Sequence, residues 1–139
     1  MAINMLTPMN CPSCGEYDRC YEPGCICPTC SPSPNENLNQ ALIAWRLYAP
    51  MMKALDDEEV SWGWSRVERR DGYKYSIEAE CNEIYFEITH ASHGFILDVN
   101  QMLSKGNYDN APEYEWRTIH DSTDAADIAQ TIRAWAVAL

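Results

Sequence analysis

The chain is short of positive charge and has no long apolar run. It carries 10 lysines and arginines against 21 aspartates and glutamates, which gives a formal net charge of −11. A protein that grips a phosphate backbone needs a dense set of cations, so this balance argues against direct nucleic-acid binding. No apolar run approaches the length of a membrane span, so we expect no membrane partner.

The sequence signatures of several enzyme classes are also missing. There is no glycine-rich phosphate loop, no G-x-S-x-G motif, no dinucleotide-binding fingerprint and no H-E-x-x-H motif. The one candidate constellation for metal chemistry combines imidazoles and carboxylates, namely His90, His93, Asp98, His120 and Asp121. Nothing local in the sequence draws these residues together, so a metal-dependent enzyme is the alternative hypothesis and we expect a non-enzymatic protein.

Cysteine, in contrast, is concentrated near one end of the chain. Six of the seven cysteines lie in residues 11–30, which read C-P-S-C-G-E-Y-D-R-C-Y-E-P-G-C-I-C-P-T-C. The two C-P-x-C units offer four thiolates, because a tight turn lets sulfurs three positions apart reach one metal. The pattern resembles a zinc ribbon or a pair of zinc knuckles. That resemblance implies Zn²⁺ held by Cys11, Cys14, Cys27 and Cys30.

Cys20 and Cys25 are left over, and three interpretations remain open. They are spare thiols or a local disulfide, or one of them replaces a ligand, since Cys25 lies two residues before Cys27. They would otherwise complete a two-metal, six-thiolate cluster that resembles the fungal type, although the C-x-C pair breaks that spacing. The competing explanation for the whole cluster is a disulfide framework of a secreted domain. The start of the chain lacks the basic region and apolar core of a signal peptide, so we expect zinc and a reducing cytoplasm.

A polar, proline-containing stretch over residues 31–37 separates this cluster from the rest. We therefore predict a cysteine-rich zinc-binding module and linker over residues 1–34 and an acidic α+β domain over residues 35–139. Residues 1–34 hold three acids against one arginine, so −9 of the net charge falls on the second part.

Apolar spacing predicts one helix at each end of the second part. The first begins near Glu36 with Asn35 or Asn37 as its cap, and Pro50 predicts a kink or stop near Tyr48. The second is capped by Ser122 or Thr123. The two apolar stripes are Leu38, Leu42, Trp45, Ala49 and Met52, and then Ala125, Ile128, Ala129, Ile132, Trp135, Ala136 and Leu139.

Between the helices the apolar period changes to two, which predicts strands. Four segments alternate between residues 60 and 99, joined by turns at Asp71-Gly72, Asn82-Glu83 and His93-Gly94. We expect one helical turn over 100–105 and a fifth, edge-like strand around Trp116. The fold class is therefore two-layer α+β, with a four- to five-stranded antiparallel sheet packed by both helices.

The acidity supplies the functional hypothesis, which is docking to a basic surface of a partner protein. The candidate partner-binding acids are Asp56, Asp57, Glu58, Glu59, Glu78 and Glu80. Small acidic α+β proteins of this layout resemble toxin-immunity proteins and phage-encoded inhibitors of host enzymes. In its strongest form, that resemblance implies a DNA mimic that blocks a nucleic-acid-binding groove. A nucleic-acid binder acting through the zinc ribbon is a further alternative.

Overall fold

The computed structural model describes residues 36–137. The predictions about Cys11, Cys14, Cys20, Cys25, Cys27 and Cys30 lie outside the described residues. Two helices enclose five strands in chain order: α1 (Leu38–Asp57), β1 (Ser61–Arg69), β2 (Gly72–Cys81), β3 (Ile84–Ala91), β4 (Gly94–Ser104), β5 (Glu113–Ser122) and α2 (Ala125–Val137).

The strands form one antiparallel sheet in which neighbours in sequence are neighbours in space. Residues of one parity point into the core and are buried, including Ile77, Phe86, Ile88, Leu97 and Val99. This alternation follows from the period-two pattern, because successive side chains of a strand leave opposite faces. The predicted α+β class and antiparallel meander are confirmed.

Both helices cover the same face of the sheet. Helix α1 packs against β1, β2 and α2, while α2 packs against α1, β2, β4 and β5. Their apolar stripes supply the second layer of the core, with Trp45, Met51, Met52, Leu55, Ile128 and Ile132 fully buried.

Helix α1 is continuous through Pro50, so the predicted stop near Tyr48 is wrong. Proline removes one backbone donor, but Trp45 and Tyr48 before it and Met51 and Met52 after it are all buried. Splitting the helix would withdraw one of these pairs from the core, and that cost exceeds the lost hydrogen bond. At the start of α1, Asn37 is the cap, and its side chain accepts a hydrogen bond from the Gln40 amide at 3.2 Å.

Two expectations near the end of the chain are also corrected. Residues 100–104 extend strand β4 instead of forming a helical turn, because they pair with residues 113–116 of β5. Helix α2 is capped by Asp124, whose Oδ1 accepts from the Ala126 amide at 3.0 Å. Ser122, one of the two predicted caps, instead accepts from the Asp124 amide at 3.0 Å and so shapes the approach to the helix.

The three hairpins form where the sequence predicts them. Asn82 and Glu83 have φ values of 53° and 67°, as a two-residue turn between twisted strands requires. In the other two hairpins the loop residues lie one position earlier than predicted, at 70–71 and 92–93. Gly94, with a φ of 139°, opens β4, and a Cβ there would lie 2.6 Å from the Ser122 carbonyl oxygen.

The hydroxyl of Tyr48 separates strands β2 and β3 at one end. Their ladder runs only as far as Ile77 opposite Ile88, although the same register would bring Tyr75 opposite His90 two residues further on. Instead, Tyr48 donates to the Tyr75 carbonyl at 2.9 Å and accepts from the His90 amide at 2.7 Å. One side-chain hydroxyl therefore replaces a backbone hydrogen bond of the sheet. Burial raises the pKa of Tyr48 to about 12.

Glu36, the residue before the α1 cap, binds to the same end of the sheet through an ion pair and a hydrogen bond. The side chain of Glu36 is 1% exposed and lies 3.2 Å from Arg66. It also accepts a hydrogen bond from the Tyr75 hydroxyl at 2.6 Å. Burial, followed by this hydrogen bond, raises the pKa of Tyr75.

Candidate functional site

The face of the sheet opposite the helices is not covered by any described element. Its most regular feature is a straight line of residues across all five strands. Gly63 lies opposite Glu78, Glu78 opposite Glu87, Glu87 opposite Asp98, and Asp98 opposite Thr118. We call Glu78, Glu87 and Asp98 the carboxylate row. Antiparallel pairing places these three acids on adjacent strands, about 5 Å apart at the backbone.

The carboxylate row has polar neighbours but no cation. Ser76 donates to Glu87 at 3.0 Å, and Thr118 donates to Asp98. No lysine, arginine or histidine within residues 36–137 forms an ion pair with any of the three. Two carboxylates about 6 Å apart repel by about 0.7 kcal/mol in water, so the row makes the isolated fold less stable. A cation supplied from outside would remove that repulsion.

Large apolar side chains lie beside the carboxylate row on the same face. Tyr85, Trp116, Tyr114 and Met102 are 56%, 50%, 54% and 49% exposed, and we call these four the aromatic patch. Half-exposed side chains of this size leave roughly 100 Å² each, or about 400 Å² together. An apolar patch of a few hundred square ångströms on a soluble protein often marks a functional surface.

Two cavities open beside the aromatic patch. The smaller, of about 230 Å³, is lined by Glu78, Ala79, Tyr85, Phe86, Asn100 and Trp116. The larger, of about 570 Å³, is lined by Glu83, Ile84, Tyr85, Asn100, Gln101, Met102, Tyr114 and Trp135. They share Tyr85 and Asn100, and we call the two together the cleft, with a smaller and a larger compartment. The larger compartment also reaches the helix side of the sheet, because Trp135 belongs to α2. The smaller compartment is below the usual size of a cofactor site, which suits a single side chain.

Asn100 lies between the two compartments with an unused acceptor. Its Oδ1 is buried and has no hydrogen-bond partner among the described residues. A buried acceptor without a partner costs about 1–3 kcal/mol. Two other buried groups among the described residues, the indole N–H groups of Trp45 and Trp64, also lack a partner.

The acids predicted from the sequence divide between the two layers. The run at the end of α1 is engaged locally, since Asp56 accepts from Trp62 Nε1 at 2.9 Å and Asp57 lies 2.8 Å from Lys53. Glu58 caps the helix and Glu59 takes a positive φ of 57° in the turn that follows.

The strand acids have different roles from one another. Glu80 accepts from the Glu83 amide at 2.8 Å and so supports the tight turn between β2 and β3. Glu78 belongs to the carboxylate row and lines the smaller compartment. Of the six predicted acids, Glu78 is the one that the structure associates with the cleft.

The histidines have separate surroundings. His120 lies 3.0 Å from Asp127, His93 lies 3.8 Å from Asp121, and His90 packs edge-on against Phe95. Hydrogen bonds from His120 and then Ser122 lower the pKa of Asp127. Within residues 36–137, no group of three or more histidine, cysteine, aspartate or glutamate side chains is placed to hold a metal ion.

Sequence reasoning missed most of the cleft, including Tyr85, Asn100, Met102 and Trp116. Tyr85 carries the one available signal, because it is aromatic at the polar parity of β3, between the buried Phe86 and the partly buried Ile84. Which residues meet across the strands depends on register. Two irregularities between β4 and β5, at Leu97/Asp98 and Met102/Ser104, shift that register.

Residues 36–137 therefore define a two-layer α+β domain with one sheet face left open, acidic and aromatic. No protein-family model matches the chain, and no curated protein or solved structure matches it either. In the described part of the chain, neither helix combines the length and the apolar character needed to cross a membrane.

Proposed function

We propose that this protein is a non-enzymatic protein-interaction module that docks a basic partner surface on the open face of its sheet. The observation that carries the proposal is the carboxylate row beside the aromatic patch. The row bears three carboxylates, and no cation among the described residues forms an ion pair with any of them. The patch offers apolar area on the same face. Cations on a partner's surface would neutralise the carboxylate row, and apolar side chains on the same surface would cover the aromatic patch.

The two features contribute in different ways. Burying about 400 Å² of the aromatic patch yields roughly 10 kcal/mol, while association costs about 4–15 kcal/mol in lost freedom. Apolar contact alone is therefore marginal, and the charges must add affinity or speed the encounter. Complementary charge chiefly raises the association rate and excludes wrong partners.

In this proposal, the positive charge of the partner's surface also indicates what that surface normally binds. A surface that binds three aligned carboxylates also suits phosphates, so the protein would act as an inhibitor or adaptor that imitates nucleic acid on a basic groove. The cysteine-rich segment would hold Zn²⁺ through Cys11, Cys14, Cys27 and Cys30, as their spacing implies. A reducing cytoplasm suits those thiolates.

The test immobilises three versions of the protein and compares which partners each retains from an extract of the cells in which the protein naturally occurs. These are the wild type, a row variant with E78Q, E87Q and D98N, and a control with E68Q, D71N and D109N. Both variants lose three negative charges, and the control positions are exposed and away from the carboxylate row. Glutamine and asparagine keep an acceptor oxygen for Ser76 and Thr118, so the row variant should fold.

We expect a protein that wild type and control retain at low salt, that the row variant does not retain, and that about 1 M salt releases. Circular dichroism and thermal unfolding of all three establish that each is folded. Equal retention by all three, or retention that salt does not change, would overturn the proposal.

A further inference from the structure

We propose that the smaller compartment of the cleft binds one arginine side chain of the partner, sandwiched between Tyr85 and Trp116. This assignment rests on the proposed function for its occupant, because the guanidinium belongs to the basic surface. The geometry that supports it comes from three neighbouring strands. It supplies the anchor that an interface of this kind needs, since a few buried aromatic or arginine contacts dominate binding energy.

The strands that carry the two rings are spaced widely enough for a planar group to lie between the rings. Asn100 lies opposite Trp116, and the register that pairs Phe86 with Val99 next brings Tyr85 beside Asn100. The backbones that carry the two rings are therefore two strand spacings apart, about 10 Å. A planar group with a ring on each side needs about 7 Å, because contact distances are about 3.5 Å. A guanidinium fits such a slot and gains attraction from both ring faces.

The polar groups of the compartment match the edge of a guanidinium. Glu78 offers a carboxylate, Asn100 adds a polar side chain to the lining, and no lysine or arginine lines the compartment. A guanidinium has its five N–H donors in one plane, so it can donate to Glu78 while its faces meet the rings. A lysine ammonium is a compact charge that cannot fill a planar slot in the same way. The Trp116 side chain is half-exposed, so a ligand can contact it.

The negative charge around the compartment favours arginine over a nucleobase, which is the other planar group that could stack between the two rings. A base would also stack between two rings, but it would bring its phosphates towards Glu78, Glu80 and Glu87. The larger compartment adds a second preference. It is lined by Ile84, Met102, Tyr114 and Trp135, so it suits an apolar side chain next to the arginine.

The experiment titrates ¹⁵N-labelled full-length protein with blocked tripeptides, leucine-arginine-glycine and the versions with lysine or citrulline in place of arginine. Citrulline keeps the planar shape and loses the charge. The signals followed are the Trp116 indole N–H and the Asn100 side-chain amide, assigned with W116F and N100S. We expect shifts at both signals, with the arginine peptide binding at least 10-fold tighter than citrulline and at least 3-fold tighter than lysine. A short single-stranded oligonucleotide serves as the competing planar ligand.

Variants distinguish a specific arginine site in the smaller compartment from a general effect of the protein's negative charge. E78Q should weaken binding of the arginine peptide at least 5-fold and leave binding of the citrulline peptide unchanged. E68Q makes the same charge change five residues along β1 from the position opposite Glu78, and it should change the binding of neither peptide. W116A should abolish the preference for arginine. Equal binding of arginine and citrulline, equal effects of E78Q and E68Q, or preferential binding of the oligonucleotide would each overturn the assignment.

This outcome is distinguishable from failure of the proposed function. If the tripeptides do not discriminate but the row variant still loses its partner, the docking face stands without the arginine slot. If arginine binds as expected but the row variant retains every partner that the wild type retains, the slot stands and the wider docking proposal falls.

Discussion

Replacing Tyr48 by phenylalanine removes one hydroxyl that satisfies two backbone groups. The Tyr75 carbonyl and the His90 amide lie too far apart to pair in the described ladder, and both bond to this hydroxyl at 2.9 and 2.7 Å. Each backbone group left unpaired in a buried place costs about 1–3 kcal/mol. Because the site is partly buried, we expect Y48F to lower the free energy of unfolding by about 2–4 kcal/mol. That is a large share of the 5–15 kcal/mol typical of a domain.

Urea denaturation followed by circular dichroism measures this loss, with Y108F as the matched control. Tyr108 is fully exposed, so losing its hydroxyl should change the free energy of unfolding by less than about 0.5 kcal/mol. Faster hydrogen exchange at the His90 amide would locate the effect. A loss below about 0.5 kcal/mol in Y48F would refute the reasoning, because β2 and β3 would then have closed and paired directly.

The alkaline limb of stability provides a second readout of the same residue. The pKa of Tyr48 is raised to about 12 in the fold, above the value near 10 of an unfolded tyrosine. Its contribution is therefore complete below about pH 10 and is lost as the pH rises through about 12. Wild type should lose stability over that window more steeply than Y48F.

Four further predictions address other parts of the molecule. P50A should raise the free energy of unfolding by about 1–3 kcal/mol in urea, because it restores a helix donor; no change would mean that the helix path has adapted to proline. G94A should destabilise more than G72A by at least about 1 kcal/mol, since both have a positive φ but only Gly94 would place a Cβ against backbone, and equal losses would exclude that contact. The pKa of Asp127 is lowered in the fold, so its contribution is present above about pH 4 and lost as the pH falls through the folded value; D127N should flatten the acid limb of thermal stability, and an unchanged limb would count against this pair. Native mass spectrometry of reduced protein should find one zinc per chain, lost when any of the four predicted ligands becomes serine; two zinc ions would indicate the six-thiolate cluster, and none would end the zinc proposal.

Local rules account for most of the fold. The alternation around Ile77 and Phe86 identifies strands because each residue of one parity has to be buried. Asn82-Glu83 and the two glycine-flanked hairpins form where turn chemistry allows positive φ. The continuous helix through Pro50 and the extended residues 100–104 were not predictable in this way, because tertiary burial and cross-strand pairing override local preference there.

The candidate site was less predictable than the fold. An alternating pattern tells which parity faces solvent, so it places Glu78 and Tyr85 on the same face. It does not tell which residues of different strands meet. That depends on register, and the irregularity between β4 and β5 at Leu97/Asp98 shifts the partners of Asp98 and Asn100 by one residue. The cleft therefore emerges only from the assembled sheet.

The order of the strands has a consequence for how the chain is made. Every strand pairs with its immediate neighbour in sequence, so the whole sheet is built from successive hairpins. Contacts between segments that are close in sequence favour rapid folding. The sheet's apolar face is covered by two helices, and the second, α2, follows all five strands in the chain. Until residues 125–137 emerge, the part of that face that α2 covers stays exposed, so a nascent chain paused before this point is where chaperones would be needed most.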